Sequence, residues 1–231
     1  MKVVCISISN HYTSRMEAIL SLFESLGCDT EYLIGDFNHF RKDRAVDEPY
    51  HATRIHVPAY RKNLSVKRLV SHYLFAKRVY DKLKEVKPDI IYSIVPPNSL
   101  FHFIRKYKNK YPCKVIFDNI DLWPEGFPYA TQSKLLSIPF GFWRGLRSRN
   151  IACADWLFCV SRGVNQTLQR MHPDIPNSLL YPILTGIRPV HYRAQTDEQV
   201  AICYLGSINH LFDADLNLAL LSAISKKKSV V

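Results

Sequence analysis

The chain has 231 residues, more than a usual single domain and fewer than two domains of ~150 residues each. Hydrophobic residues at 47% and charged residues at 22% describe a globular chain with a sizeable core, which sets aside disorder, collagen and coiled coil. Lysine and arginine number 31 against 20 acidic residues, and the resulting +11 favours anionic partners: nucleic acid, phosphorylated small molecules or an acidic membrane face.

A membrane-spanning helix needs ~20 apolar residues in a row. The most apolar stretch, Leu135 to Leu146, is interrupted by Pro139 and Arg144, and Val3 to Ile8 is too short for a signal-peptide core. The expected location is the cytoplasm, with peripheral contact at the inner face of a membrane. Cys5, Cys28, Cys113, Cys153, Cys159 and Cys203 form no C-x-x-C pair. Most lie in or beside apolar runs, where a thiol serves as a small hydrophobe in preference to a disulfide or zinc ligand.

Along the chain, short apolar runs alternate with amphipathic helices. Lys2 to Ser7 reads as a buried strand. Thr13 or Ser14 caps a helix through Leu26, with Met16, Ile19, Leu20 and Phe23 at helical spacing and Gly27 as its stop. Glu31 to Ile34 gives a second strand, Gly35 to Pro49 a polar loop, and Arg54 to Val57 a short third strand. Ser65 to Lys87 is the longest helical pattern. Its Leu69, Val70, Tyr73, Ala76, Tyr80 and Leu83 are expected on the core face, with Lys67, Arg68, Arg78 and Lys82 opposite.

Pro88 ends that helix, and Asp89 to Val95 is a continuous apolar strand of the doubly covered kind. A helix from about Ser99 to Lys108 leads to a strand at Lys114 to Phe117. An irregular stretch rich in proline and tryptophan follows, then a basic helix from about Pro139 to Ala152. Trp156 to Val160 is the next strand, Ser161 caps a helix to about Met171, and Leu179 to Tyr181 is a last short strand. This alternation predicts an α/β fold, a Rossmann-like doubly wound parallel sheet spanning residues 1–190. Residues 191–231 hold a linker, a buried strand at Gln199 to Leu205, Gly206 and a helix from about Asp213 to Ser225. They read as the first βα unit of a second Rossmann-like domain. One such unit cannot bury its own apolar faces, so the sequence is expected to be a truncated form.

Ligands of an open parallel sheet bind outside the carboxyl ends of its strands. Four of those ends carry unusual polar residues: Asn10 and His11 after the first strand, Asn98 after Val95, Asp118 to Glu125 after Phe117, and Ser161 after Val160. The first loop lacks glycine, so it is neither a dinucleotide fingerprint nor a Walker A loop. His11 has the chemistry of a general base or of a solvated loop residue. Asp118, Asp121 and Glu125 place three carboxylates within eight residues. They suit hydroxyl orientation or proton sharing, and equally loop capping or pairing with nearby arginines. No basic ligand set accompanies them, so no metal site is expected.

The D-L-W-P-E string at Asp121 to Glu125 follows a buried strand, and the chain here resembles family 4 glycosyltransferases of the two-domain GT-B type, especially those building bacterial surface polysaccharides. The resemblance continues in P-D-I-I-Y at Pro88 to Tyr92 and C-A-D-W-L-F-C-V-S at Cys153 to Ser161. Y-P-I-L-T-G-I at Tyr181 to Ile187 is similar to the family's interdomain turn, and A-I-C-Y-L-G-S at Ala201 to Ser207 to the strand and glycine opening the donor domain. The resemblance implies retaining sugar transfer from a nucleotide-sugar co-substrate, without metal or other cofactor, to a sugar or lipid-linked acceptor held by residues 1–190. Residue by residue it implies catalytic Asp121 and Glu125, acceptor-binding Ser161 and donor-binding Gly206, with Ser207 next to it on the donor side, while the strand-end reading supplies Asn10, His11, Asn98 and Asp118 as acceptor-binding candidates.

The sequence also departs from the family. Ile120 stands where many members have histidine, Ser207 where arginine is common, and His210-Leu211-Phe212 where a lysine is expected. The E-x₇-E segment that grips the donor sugar falls beyond residue 231. The chain alone is therefore expected to be inactive, a separate chain being one possible source of the donor domain. Two basic stretches suit either a membrane interface or a helix covering the sheet with a solvated cationic rim: the Ser65–Lys87 helix, and Ile138 to Asn150, where Phe142, Trp143 and Leu146 share a face flanked by Arg144, Arg147 and Arg149. The rival reading is a non-catalytic basic α/β module on an anionic membrane or nucleic acid. Nucleic acid is the less favoured partner, since no RNA-recognition, KH or zinc-finger pattern is present.

Overall fold

The structure, a computed structural model, describes residues 1–9, 13–44, 52–63, 65–126, 137–181 and 213–225. Its elements are β1 (Lys2–Ser7), α1 (Thr13–Ser25), β2 (Asp29–Gly35), β3 (Ala52–Ile55), α2 (Val66–Val86), β4 (Ile90–Val95), α3 (Ser99–Lys108), β5 (Lys114–Asn119), α4 (Ser137–Ser148), β6 (Trp156–Cys159), α5 (Arg162–Met171), β7 (Asn177–Leu179) and α6 (Ala214–Ser225). The chain divides into two compact units, Met1–Thr185 and Gly186–Val231. Within the second, Asp213 Oδ1 accepts from the Leu216 amide at 2.9 Å and caps α6. The strand expected at Gln199 to Leu205, with Gly206 and Ser207 after it, lies outside the described residues.

Seven strands form one sheet in the order β3-β2-β1-β4-β5-β6-β7, and every pairing is parallel. The Rossmann-like α/β architecture follows from strands such as Val3–Ile6 and Ile91–Val95, apolar on both sides because helices cover both faces. Alternate residues serve opposite layers. Val4, Ile6, Ile91, Val95, Val115 and Phe117 pack with Phe75, Val79 and Leu83 of α2 and Ile104 of α3. Val3, Cys5, Tyr32, Ile34, Tyr92 and Ile94 pack with Met16, Ile19 and Leu20 of α1. Cys5, Cys28 and Cys159 are buried free thiols.

The structure corrects the expected orientation of α2. Its buried stripe runs Arg68, His72, Phe75, Val79, Leu83, with Ser71, Ala76 and Tyr80 beside it. Leu69, Val70 and Tyr73, expected in the core, are exposed. Ser65 Oγ caps the helix on the Arg68 amide, and Lys87 closes it in the left-handed region at φ 50°. Strand boundaries also shift. β2 starts at Asp29 because the Asp29 amide bonds Met1 O at 2.9 Å and Asp29 pairs Lys2. β3 and β7 are edge strands set by pairing, with Ala52 beside Tyr32 and Asn177 beside Leu157. Gly35 has a steric reason: a Cβ there would sit 2.7 Å from Ile8 O, where the chain leaves β1.

Candidate functional site

Strand order reverses about β1, whose neighbours are β2 on one side and β4 on the other. A ligand crevice is expected outside the carboxyl ends at this switch point. The structure has a cavity there of about 670 Å³ counted out to its open mouth. Ile8 and Ser9 reach it from the end of β1, Phe37 and His39 from β2, Val57 and Tyr60 from β3, and Pro96 from β4. Asp121 and Trp123 enter from the end of β5. Arg68, Ser71 and His72 of α2 close it.

Arg68 is buried, and its guanidinium carbon lies 4.5 Å from the Trp123 ring centroid and 5.9 Å from that of Tyr60. Its Nη1 donates to Asn63 O at 3.0 Å and its Nε to His72 Nε2 at 3.4 Å. Burial pushes the guanidinium down from its ordinary value, against the opposing pull of Tyr60 and Asp121. His72 stacks on Trp123 at 5.6 Å and 15°. Burial, with Arg68 and His39 nearby, holds it well below the ordinary histidine range, so the ring is neutral. Because Nε2 accepts from Arg68, Nδ1 carries the proton, and among the described residues it has no partner. Ser71 Oγ, also fully enclosed, has none among them either. Two buried polar groups lining one cavity and lacking partners mark a place where a polar ligand would be satisfied.

The three carboxylates of the Asp118–Glu125 stretch are not brought together; each faces a different arginine. Asp118 is fully buried on the α1 side of the sheet. Arg15 Nε donates to its Oδ2 at 2.6 Å, Arg15 Nη2 to its Oδ1 at 2.9 Å, and the Tyr92 hydroxyl to Oδ2 at 2.6 Å. Arg15 continues to the carbonyls of Leu180 and Tyr181 at 2.9 and 3.0 Å. Burial, then the adjoining Asp118 charge, pushes the Tyr92 phenol well above its usual range. Glu125 accepts from Arg147 and Arg144 of α4. Burial would raise its carboxyl, yet those arginine bonds prevail and hold it below the ordinary value. Asp121 alone lines the cavity. Partial desolvation pushes it up, against the field of Arg68, and among the described residues it forms no ion pair.

Of the other expected site residues, Asn98 is buried and its amide donates to Trp123 O at 2.9 Å and Trp143 O at 3.0 Å, fastening the D-L-W-P-E loop to α4. Ser161 is exposed and caps α5 on the Val164 amide at 3.3 Å. Asn10 and His11 lie outside the described residues, although Ile8 and Ser9 bring the chain to the cavity just before them. Gly206 and Ser207 also lie outside them. Among the described residues, no group of three or more His, Cys, Asp or Glu side chains is arranged to hold a metal ion, and no helix is long and apolar enough to cross a membrane.

Sequence reasoning did not single out Arg68, His72, Tyr60 or Arg15. Arg68 and His72 carried a usable signal, an i, i+4 polar pair in line with Phe75, Val79 and Leu83. Arg15 interrupts the apolar face of α1 just before Met16. Tyr60 lies in an irregular segment with no periodicity to read.

No protein-family model matches the chain, and no curated protein matches it. Solved structures do. Sucrose-phosphate synthase from Thermosynechococcus elongatus superposes with a TM-score of 0.54 at 10% identity, over 78% of this chain and 48% of that one. The apo form of the lipopolysaccharide outer core galactosyltransferase WaaB gives 0.52 at 14% identity, over 89% and 54%. This chain spans about half the length of either. Its parallel, helix-flanked sheet is the Rossmann-like fold that these GT-B glycosyltransferases contain.

Proposed function

We propose that this chain is the acceptor-binding half of a retaining, nucleotide-sugar-dependent glycosyltransferase working in surface polysaccharide or glycolipid assembly. The observation that supports this reading is the switch-point cavity, with its aromatic wall and the unpartnered Ser71 Oγ and His72 Nδ1. A sugar acceptor offers the apolar ring faces and hydroxyls that such a lining complements.

In this reading Asp121 orients the acceptor hydroxyl. Asn10, His11 and Ser161 remain acceptor-binding candidates in this reading. Glu125, Asn98 and Asp118 act through the loops they hold. Gly206 and Ser207 belong to the donor side, where close backbone approach accommodates the diphosphate. A partner chain is one source of further donor-side groups in this reading, and the assembly works peripherally at the inner face of a membrane. The rival reading, a non-catalytic basic module, provides no role for two unpartnered polar groups inside a cavity.

The test is a transfer assay with UDP- and GDP-sugars and a mixed pool of oligosaccharide and lipid-linked acceptors. Transfer is expected when this chain is joined to a donor-holding half, and to drop by about two orders of magnitude in the same protein carrying Asp121→Asn. No transfer from any donor, with both halves folded, overturns the reading.

A further inference from the structure

Helices α2 and α4 both pack against α3, and between them runs an apolar trough of about 1490 Å³ counted out to its open mouth. Asn98 and Ser99, both buried, form its base where the chain enters α3. One wall is the α2 stripe Val66, Leu69, Val70 and Tyr73, exposed by 75%, 42%, 46% and 51%. The other is α4, where Phe142 is 71% exposed and Leu146 lies one turn on. The α2 positions have the i, i+3, i+4, i+7 spacing of a helix-packing stripe. The core uses a different stripe, through His72, Phe75 and Val79, so this one is left without a partner among the described residues. An apolar cluster of this kind on a folded surface marks a binding face.

Two basic hollows flank the trough. Ser65 borders both the trough and a recess bearing Lys42, Arg61, Lys62 and Lys67. Phe142 and Leu146 border both the trough and a hollow bearing His102, Arg105 and Arg149. Among the described residues, no aspartate or glutamate lines any of the three.

Shape and charge together select the occupant. A second copy of this chain would set basic flanks against basic flanks in a protein of net charge +11. A bilayer is flat on the scale of two helices and leaves the recessed Asn98–Ser99 base uncovered. A helix is a rod about 10 Å across, and one laid between α2 and α4 sets its apolar stripe on both walls. Acidic residues beside that stripe then meet the basic flanks.

We propose that the α2–α4 trough docks an acidic amphipathic helix of a partner protein, its apolar stripe seated between Leu69 and Phe142 and its carboxylates on the flanking lysines and arginines. Asp121 and Trp123 do not line the trough, so the proposal is independent of the transfer reading.

The experiment selects binders of the full chain from a displayed library of peptides of about 18 residues, long enough to be helical, with leucine fixed at i, i+3, i+4 and i+7 and the other positions random. Selected peptides are expected to carry aspartate or glutamate beside the stripe. In calorimetry they are expected to lose at least about tenfold in affinity for Leu69→Glu and for Phe142→Glu, with both variants melting as wild type does. If Leu69→Glu melts lower, the more exposed Phe142→Glu decides. Lys62→Gln with Lys67→Gln is expected to weaken the same peptides several-fold. Arg162→Gln with Arg170→Gln, which removes the same charge from exposed positions of α5, is expected to leave them within about twofold of wild type.

An empty selection, binders without acidic enrichment, or binders indifferent to the trough substitutions overturns the proposal. With an empty selection, phosphatidylglycerol vesicle capture that both trough variants lose would assign the trough to lipid. Self-association of wild type that Phe142→Glu abolishes would assign it to a second copy.

Discussion

The two terminal nitrogens of Arg147 donate to the two carboxylate oxygens of Glu125, each at 2.8 Å, and Arg144 Nε adds a third bond at 2.9 Å. Arg147 is almost wholly buried, and its Nη1 also holds Trp123 O at 3.0 Å. The glutamate of D-L-W-P-E thus fastens the loop carrying Trp123 and Asp121 to α4. In the proposed function it is a positioning residue, and it is not among the described residues that line the cavity.

Removing that carboxylate leaves Arg147 buried and short of its counter-charge. Complete burial would make the loss ~3–5 kcal/mol, and the partial exposure of Glu125 reduces it to roughly 1–3 kcal/mol. Glu125→Gln is therefore expected to lower the urea midpoint, and a midpoint equal to wild type would contradict the positioning role. The pair also has an acid limit. The Glu125 carboxyl is held low when folded, so its contribution is complete above the unfolded value of about 4.3 and fades as pH falls through the lower folded value. Asp155, held low by Lys108 and Lys114 against the effect of burial, loses its contribution the same way.

His72 acts in a different pH window. Its folded value is depressed, so below about 6.5 the unfolded chain takes up a proton that the folded chain refuses. Stability is expected to fall between pH 6.5 and 5 by at most ~1.4 kcal/mol per unit, with a contribution to the slope that fades as pH rises above about 6.5. His72→Phe should flatten this part of the curve in urea melts across pH 5–8. An unchanged slope would mean that another group carries it.

Gly35 allows the end of β2 to lie against Ile8 O, one residue from the cavity lining at Ser9. A methyl group at 2.7 Å from a backbone carbonyl must displace one strand end. Gly35→Ala is expected to cost ~1–3 kcal/mol and to weaken ligand binding in the cavity as well. Gly163, where a Cβ meets nothing within 4 Å, is the matched control, and Gly163→Ala should leave both properties near wild type.

The sheet was legible because its central strands are apolar on both sides, a pattern that Val3–Ile6 and Ile91–Val95 share with few alternatives. The edge strands β3 and β7 were less so: Ala52–Ile55 and Asn177–Leu179 owe their strand state to a neighbour's register more than to their own side chains. α2 was legible in length and, at Ala76, Tyr80 and Leu83, in facing, while its first turns face otherwise than expected. It carries two stripes, one through Leu69, Val70 and Tyr73 and another through Arg68, His72 and Phe75. Hydrophobicity alone ranks the first as core, yet the first turns of α2 reach the end of the sheet, where the inward position serves a polar cavity. The Asp118–Glu125 stretch stood out in the sequence as three carboxylates at a strand end. Its division among Arg15, Arg68 and Arg147 depended on helices distant in sequence.

The most direct test of the acceptor cavity is NMR of the indole N–H signal of Trp123, assigned through Trp123→Phe, during titration with oligosaccharides and sugar phosphates. At least one of these is expected to shift that signal saturably, with the effect lost in Arg68→Ala and unmatched by UDP or GDP alone. A Trp123 signal unmoved by every sugar, or moved equally by the free nucleotides, would contradict the assignment of this cavity to the acceptor.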